Sequence, residues 1–521
     1  MAERRTTAAT QTSSAPTSPR TAVQQLAAFA VDARDGVPLE VATSVRQRVL
    51  DVIGLQLAAV PLETSRAALN FVASQGGAPQ ARAIGLEQPV PASWAAFVGG
   101  VLAHSLDYDD THLPSILHPS ASVVPAALAV GELSDSDGAR LCGAVAAGLE
   151  IVVRLGMAGY DRESNNSTFF EHGQHATSIC GAVGSAATAA LLLGRDAEGV
   201  ADAMGIAVSM AGGVIEANRT GGTVKRLHCG WAAHAGVSAA LLADAGFTGP
   251  PTVLEGRFGF FEAFLHGRYV ERELTDGLGE RWAVPGIFFK PYPANHFAHT
   301  AVDAARTLRE RGLCADDVAT AELGVASPTV RTIGEPLEVK QAPSSGYAAQ
   351  FSGPYVVAAA LSGGGGLGLG LGDFTDELAT DPKRRELMSR IRVVGDPVCD
   401  EIYPQQFPAV LRVTTVRGEA LEARVDVNRG GPDWPLTDEE LATKFRDNAL
   451  VVTDEVTADA IAARVDDLER ATPVRRLAEA MPRLADRDAV EGAVDGHRTG
   501  APSRDGGRFD VEDAPAERTR R

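Results

Sequence analysis

The chain is poor in cysteine, in positive charge and in long apolar runs, and each shortage narrows the class of protein. Its five cysteines lie far apart in 521 residues and form no C-x-x-C pair, which predicts reduced, mostly buried thiols of a cytoplasmic protein. Lys and Arg number 48 against 67 Asp and Glu, a net charge of −19, so we expect no nucleic acid or anionic membrane partner. No apolar run is long enough and free enough of Gly, Asp and His to predict a membrane span.

The two ends of the chain differ in composition from its middle. Residues 1–20 are rich in Thr, Ser, Ala and Pro and lack the apolar stretch of a signal peptide, which predicts a disordered arm. Residues 486–521 are charged and rich in Gly and Pro, which predicts a disordered tail. The remaining length exceeds one ordinary hydrophobic core, so two domains are expected.

The periodicity of apolar residues predicts a mainly α-helical protein with an α+β insertion. Residues 21–281 show helical spacing throughout and are rich in Ala and Gly, which suggests closely packed helices. Residues 282–435 mix helices with runs of β-branched residues typical of strands. Helical character returns over 436–485, so the α+β part is predicted to be inserted into one helical domain. Within it, the Gly-rich stretch 363–372 lacks the pattern of a phosphate loop and is predicted to be a flexible surface loop.

Four polar clusters, each leading into an apolar stretch, carry the chemistry of the chain. Ten of the eleven histidines lie between His104 and His299. The clusters are His104–His112 with His118, Gln174–Ser178, Lys225–His228 and Lys290–His299. Titratable groups at helix N-termini suit acid/base chemistry on an anionic substrate. The sequence therefore predicts an enzyme.

The Asp107–His112 loop has three interpretations. Paired Asp and His side chains could hold a metal ion, could form a metal-free acid/base loop, or could simply cap helices. No spaced set of further ligands such as H-E-x-x-H is present, so we expect no metal.

His175 precedes Thr177 and Ser178, either of which could cap a helix expected to begin near Cys180. Its imidazole could exchange a proton with a bound carboxylate, or could serve only as a hydrogen-bonded joint between helices. Lys225 follows a glycine pair and abuts an apolar helix, so we expect it to point inward. His228 and His234, within that helix, are expected to be packing residues.

These clusters, in this order, resemble the MmgE/PrpD family. The matching stretches are HSLDYDDTH…HPSASVVPAALAVGE, HATSICGAVGSAATAALLLG, KRLHCGWAAHAG, KPYPANHFAHTAVDAA, FSGPYVVAAAL and PLTDEELATKF, which together span about residues 23–480. The resemblance implies an all-helical domain with a smaller inserted α+β lid, an active site between them, a homodimer, and no metal or organic cofactor.

The resemblance also implies the site residues. The aspartate and threonine of the D-x-D-D-T loop are Asp107 and Thr111, and the lysine is Lys225. The catalytic histidines are His118 and His175, with His299 as a third, while Asn295, His296 and Arg331 are expected to bind substrate. In the K-x-[YF]-P-A motif, Asn295 stands where the decarboxylases of the family carry a histidine, followed by His296 and His299. A lid tyrosine of those decarboxylases has no clear match, although Arg331 lies nearby. These departures argue against cis-aconitate decarboxylase.

The resulting hypothesis is a cofactor-independent lyase acting on a small hydroxy di- or tricarboxylate such as 2-methylcitrate. One of His118 and His175 would remove a proton α to a carboxylate and the other would protonate the leaving hydroxyl. Asp107 and Thr111 would orient an imidazole, while Lys225, helix N-termini and Arg331 would hold carboxylates. Two alternatives remain open: an epimerase of a dicarboxylate such as iminodisuccinate, and an inactive polyacid-binding protein.

Overall fold

The structure, a computed structural model, describes residues 20–163, 166–217, 222–470 and 472–482. The predicted tail, and the predicted arm apart from Arg20, lie outside these residues. The described part is mainly helical with a small mixed sheet, which confirms the predicted fold class.

Twelve helices and a two-stranded ribbon precede the lid in the described residues. They are α1 (Ala22–Arg34), α2 (Leu39–Ala59), α3 (Glu63–Ala73), α4 (Ala92–His104), α5 (Ser120–Leu133), α6 (Gly138–Ala158), β1 (Tyr160–Asp161), β2 (Asn166–Ser167), α7 (Thr168–Glu171), α8 (Ala176–Leu192), α9 (Ala197–Met210), α10 (Val224–Asp244), α11 (Phe260–Leu265) and α12 (Arg272–Thr275).

The predicted lid and the C-terminal part supply the remaining elements. They are α13 (His299–Glu310), β3 (Val318–Val325), α14 (Ser327–Ile333), α15 (Leu337–Lys340), α16 (Gly346–Ala349), α17 (Gly353–Ser362), α18 (Asp376–Thr380), α19 (Pro382–Ser389), β4 (Ile391–Gly395), α20 (Pro397–Ile402), β5 (Ala409–Thr415), β6 (Ala420–Val425), α21 (Asp438–Ala449), α22 (Glu455–Asp466) and α23 (Arg475–Ala480).

Glycines allow the central helices to approach closely. A Cβ added at Gly184 of α8 would lie 2.6 Å from the carbonyl oxygen of Gly148 in α6, and one added at Gly148 would lie 2.9 Å from that of Gly184. Likewise, a Cβ at Gly100 of α4 would lie 2.6 Å from the carbonyl oxygen of Cys229 in α10. Since Gly costs helix propensity, its presence here reflects backbone-to-backbone packing.

One apolar core joins the N-terminal helices to the C-terminal ones. Phe445 of α21 belongs to the same buried cluster as α1–α6, and a Cβ on Gly54 of α2 would lie 3.1 Å from its ring. Lys444, also on α21, is buried and pairs with Asp51 of α2 at 2.7 Å. The C-terminal segment thus completes the core that α2 begins.

A second core lies within residues 292–423. There, α13 and α17 pack together and the four strands run in the order β4-β3-β5-β6. β3 and β4 are parallel, with Ala321 opposite Ile391, whereas the other two pairs are antiparallel.

Two stretches of unusual composition have a clear place in the structure. No membrane span was predicted; helix α6 is long and apolar enough to cross a membrane by length and composition, but 94% of its apolar window is buried in this molecule, which accounts for its composition. The Gly-rich stretch 363–372 is a loop apart from a short turn at its end, and the Asp373 carboxylate accepts the N–H groups of Gly365 and Gly370 at 2.9 and 2.8 Å.

Candidate active site

The Asp107–Thr111 loop begins where α4 ends and is fixed from two sides. Asp107 has a φ of 52°, in the left-handed region that non-glycine residues rarely occupy. Thr111 exchanges two backbone hydrogen bonds with Phe288, at 2.9 and 2.8 Å. The loop is therefore held against the segment that leads into the predicted lid.

Asp107 is a buried carboxylate between two lysines. Its Oδ1 lies 3.0 Å from Lys225 Nζ and 3.5 Å from Lys290 Nζ, and its carbonyl oxygen accepts from Lys290 at 2.6 Å. Burial alone would raise the pKa of Asp107, but the two lysines hold it far below its usual range. The pairing likewise raises the pKa of Lys225 despite burial. This triad keeps two positive charges and one negative charge inside the protein.

Hydrogen bonding determines which ring nitrogen of His118 carries the proton. Its Nδ1 lies 2.7 Å from the carbonyl oxygen of Asp110, which can only accept, so Nδ1 carries the proton and Nε2 holds the lone pair. Thr111 Oγ1 lies 3.3 Å from the same Nδ1. Burial lowers the pKa of His118 to about 4, so the imidazole is neutral near pH 7.

Three further histidines surround His118. The ring of His104 lies 5.2 Å from that of His118 and 5.9 Å from that of His175, and the ring of His228 lies 4.9 Å from that of His175. His104 Nδ1 donates to Asp109 at 2.7 Å. Burial, reinforced by the neighbouring rings, lowers the pKa of His175 well below its usual value. Burial therefore favours neutral rings for His118, His175 and His228, and the rings of the cluster lie close enough to exchange protons with one bound molecule.

His175 and His228 share one proton between them. Their Nδ1 atoms lie 2.9 Å apart, so one ring donates and the other accepts. If His228 donates, Nε2 of His175 bears a proton and can act as an acid without a net charge. Burial also lowers the pKa of His228 to about 4. His228 was expected to be a packing residue, and the structure instead places it in the cluster.

A buried ion pair holds the aspartate loop in place. Arg48 of α2 donates to Asp110 Oδ2 at 2.8 Å and to the carbonyl oxygen of Ile287 at 2.6 Å. The other carboxylate oxygen of Asp110 accepts the N–H of Ser120 at 3.2 Å. Because the Asp110 carbonyl oxygen orients His118, the Arg48 pair fixes the histidine through the loop backbone.

The lid brings a second group of histidines to the edge of the site. His296 is buried, neither ring nitrogen has a partner among the described residues, and its ring lies 4.5 Å from that of His299. Burial, followed by the neighbouring His299 and the charge of Lys290, lowers the pKa of His296 well below its usual value. Nε2 of His299 lies 3.0 Å from the carbonyl oxygen of Ala294. Asn295 caps the short turn that follows it, because its Oδ1 accepts from Phe297 N at 3.1 Å.

The structure thus brings most of the predicted residues together, with corrections in detail. Asp107 does not orient an imidazole, since its carboxylate faces lysines; the Asp110 carbonyl oxygen, with Thr111, orients His118. Helix α8 begins at Ala176 with His175 as its N-cap. Thr177 and Ser178 do not cap it: Thr177 Oγ1 accepts from the backbone of His118 at 3.2 Å and Ser178 Oγ donates to the carbonyl oxygen of Gly212 at 2.5 Å.

Arg331 is the predicted residue with the weakest link to the cluster. It is exposed on α14, and its one described interaction is electrostatic, with Tyr403.

Lys290, in contrast, began one of the predicted clusters but was not singled out as a site residue. The apolar residues Ile287–Phe289 that precede it were the available signal, because a lysine directly after such a run is a candidate for burial.

One group of buried side chains could hold a metal ion. Ligand atoms of His104, Asp109 and Cys229 lie within 4.8 Å of one another. However, the His104–Asp109 hydrogen bond already uses one atom of each, and burial raises the pKa of the Cys229 thiol well above its usual value, whereas a metal ligand is a thiolate. The donor set therefore fits a metal poorly, and a metal-free reaction stays a prediction.

The chain is similar to known proteins over most of its length. Residues 24–273 match the MmgE/PrpD N-terminal domain and residues 292–470 match the MmgE/PrpD C-terminal domain. The cis-aconitate decarboxylase of Homo sapiens is 30% identical over 397 residues, which cover 73% of this chain and 77% of that protein. That of Aspergillus terreus is 27% identical over 472 residues, covering 86% and 93%. The mitochondrial 2-methylcitrate dehydratase of Yarrowia lipolytica is 29% identical over 174 residues, covering 32% and 31%.

Proposed function

Because this chain belongs to the MmgE/PrpD family, we propose that it is a cofactor-independent lyase that removes water from a small hydroxy di- or tricarboxylate such as 2-methylcitrate. The observation that carries this proposal is the pairing of a neutral His118, whose Nε2 is free, with two lysines on one buried carboxylate. Such a site offers a base and positive charge together. We propose a homodimer on the family resemblance, and a cytoplasmic location on the scattered, unpaired cysteines.

The proposed reaction begins with proton removal. Nε2 of His118 takes the proton α to a carboxylate, and the charge that develops on that carboxylate lies near Lys225 and Lys290. Their ammonium groups stabilise this charge in a site with little water, where electrostatic stabilisation is strongest. Asp107 keeps both lysines in place without neutralising them, since one carboxylate faces two cations.

Loss of the hydroxyl completes the reaction. His175, with its Nε2 protonated, gives that proton to the leaving hydroxyl as the C–O bond breaks and the C=C bond forms. Water leaves, and His118, now an imidazolium, holds the substrate proton. The starting state returns when that proton passes from His118 through solvent to Nε2 of His175, while His228 keeps its own proton in the 2.9 Å Nδ1–Nδ1 contact. General acid/base catalysis of this kind contributes roughly 10²–10⁴ in rate.

Decarboxylation is the second candidate, and the relatives named above favour it, since the human protein covers most of this chain at 30% identity. Asn295 speaks against it, because the amide has no basic nitrogen and its side-chain oxygen caps the turn at Phe297. Decarboxylation would release carbon dioxide, which dehydration and epimerisation do not.

The deciding experiment is NMR in deuterated water with 2-methylcitrate, citrate, cis-aconitate and iminodisuccinate in turn. An alkene product without carbon dioxide supports dehydration. Carbon dioxide release from cis-aconitate supports decarboxylation, and deuterium incorporation without elimination supports an epimerase. Binding without any turnover would favour the inactive polyacid-binding protein. EDTA treatment in parallel should leave the rate unchanged, and a loss restored by a divalent metal would contradict the metal-free mechanism.

A further inference from the structure

A lid residue, Tyr347, contacts the helical domain beside Lys225. The guanidinium carbon of Arg226 lies 4.3 Å from the centroid of the Tyr347 ring, and Arg226 directly follows Lys225 on α10. Nη1 of Arg226 also donates to Thr64 Oγ1 of α3 at 3.2 Å. One edge of the guanidinium is thus fixed by the helical domain, while its face receives the lid tyrosine.

The segment that carries Tyr347 is anchored at both ends. The N–H of Gly346 donates to Asp376 Oδ1 at 2.7 Å, and a Cβ at Gly346 would lie 1.8 Å from the carbonyl oxygen of Phe374, so only glycine fits there. At the other end, the carbonyl oxygen of Gln350 accepts the N–H of Asn295 at 2.8 Å. The position of Tyr347 is therefore set by the lid and by the loop that bears the site histidines.

One polar group of this segment is left without a partner among the described residues, namely Oε1 of the buried Gln350. Tyr347 is half-buried and contacts Arg226 and Phe351 through its ring. Because Arg226 directly follows Lys225 on α10, the Arg226 contact places Tyr347 beside the part of α10 that carries the lysine. Burial lowers the pKa of Lys225, and Asp107 and then Tyr347 raise it.

We propose that Tyr347 is a substrate-binding residue: its hydroxyl donates to the substrate carboxylate that pairs with Lys225, and its ring, stacked on Arg226, holds the lid closed over that carboxylate. This inference rests on the proposed function, since it needs a carboxylate at Lys225. It assigns separate roles to the two parts of one side chain. The hydroxyl contributes to binding, whereas the ring contributes to closure.

Three variants separate these roles from simple packing between the two cores. Tyr347→Phe keeps the ring on Arg226 and removes the hydroxyl. Arg226→Met keeps the hydroxyl and removes the cation–π contact. Arg384→Met is the matched control, because Arg384 lies over Tyr355 at 5.1 Å within the lid, away from Lys225. Melting temperatures establish that each variant is folded.

The measurements are KM and kcat on the substrate identified by NMR, and calorimetric binding of tricarballylate, a tricarboxylate with no hydroxyl to lose. A hydrogen bond to a charged carboxylate contributes enough to give roughly a ten- to hundredfold rise in KM and in the tricarballylate Kd for Tyr347→Phe, with kcat within about twofold. Arg226→Met should raise the KM and the tricarballylate Kd by about two- to thirtyfold. Arg384→Met should change neither value.

One outcome would contradict the role of Tyr347, and a different outcome would contradict the proposed function. If wild-type protein binds tricarballylate and Tyr347→Phe binds it equally well with an unchanged KM, Tyr347 is only a packing residue and this inference is wrong. If the wild-type protein neither binds tricarballylate nor converts any of the polycarboxylates, the proposed function itself is wrong. If Tyr347→Phe unfolds, Tyr347→Trp, which keeps an aromatic face for Arg226, replaces it in the same comparison, and unchanged binding again contradicts the inference.

Discussion

His118 illustrates how a single backbone contact can define the chemistry of a side chain. The carbonyl oxygen of Asp110 determines which nitrogen carries the proton, and burial keeps the ring neutral. Sequence alone pointed to His118 through the family motif. The tautomer could not be predicted, because it depends on the φ/ψ angles of a loop that is folded against Arg48.

At this scale we expect His118→Asn to lower kcat by about 10²–10⁴ with little change in melting temperature, since the base is lost while a polar group remains for the Asp110 carbonyl oxygen. His234→Asn is the control. His234 Nδ1 also lies near a backbone carbonyl oxygen, that of Ser93, at 3.1 Å, but His234 lies outside the cluster. Steady-state kinetics checks both, and equal activity of the two variants would contradict the assignment of His118.

The buried histidines also predict how stability depends on pH. Burial lowers the pKa of seven histidines, among them to about 4 for His112, His118 and His228 and to about 3 for His299. In the unfolded chain they titrate near 6.5, so unfolding takes up protons below that pH. Asp303, whose pKa burial raises to about 6, releases a proton on unfolding and offsets part of the effect.

The free energy of unfolding should therefore be fully developed above about pH 6.5 and should fall as the pH drops towards 4, by up to about 1.4 kcal/mol per pH unit for each histidine. Urea titrations at about pH 7.5, 6.5 and 5.5 measure this slope. Equal stability at the three values would show that the histidines are not buried as neutral groups.

Among the elements, the close contact between α6 and α8 allows a direct test of how tightly the helices pack. Gly184→Ala would place a methyl group 2.3 Å from Cγ2 of Val152 and 2.6 Å from the Gly148 carbonyl oxygen, so the helices must separate. Overpacking of this kind costs about 1–3 kcal/mol. Gly36→Ala, where nothing lies within 4 Å, is the control. Chemical denaturation should distinguish them, and equal stability would mean that the helices yield easily.

The elements themselves were largely predictable, because apolar periodicity is a local property. The helical stretches, the change to strands near the lid and the return to helices all follow from spacing. The start of α8 was placed too late, since Thr177 and Ser178 look like caps in sequence. Their hydroxyls are used by the backbones of other segments instead, and sequence carries no sign of those distant partners.

For the whole molecule, the inserted lid stays a prediction that a truncation can test. A chain ending at residue 281 would lack α21–α23, whose apolar residues share a core with α1–α6. It would also leave Asp51 without Lys444. We expect no cooperative unfolding transition from this fragment in calorimetry.

The matched control joins residues 436–482 to that fragment through a flexible Gly/Ser linker, which restores the shared core without the lid. We expect this version to regain a cooperative transition. A monodisperse, cooperatively unfolding fragment ending at 281 would contradict the insertion.

The Lys444–Asp51 pair also sets a minimum time before the core can be completed during synthesis. Lys444 follows Asp51 by 393 residues, so at about 5–20 residues per second the ribosome needs roughly 20–80 s to deliver the partner of Asp51. During that time Asp51 of α2 has no Lys444 to pair with, and the apolar face of α2 that packs against α21 stays exposed. A nascent chain of this protein must therefore remain bound to chaperones, or only partly collapsed, until almost its entire length has been translated.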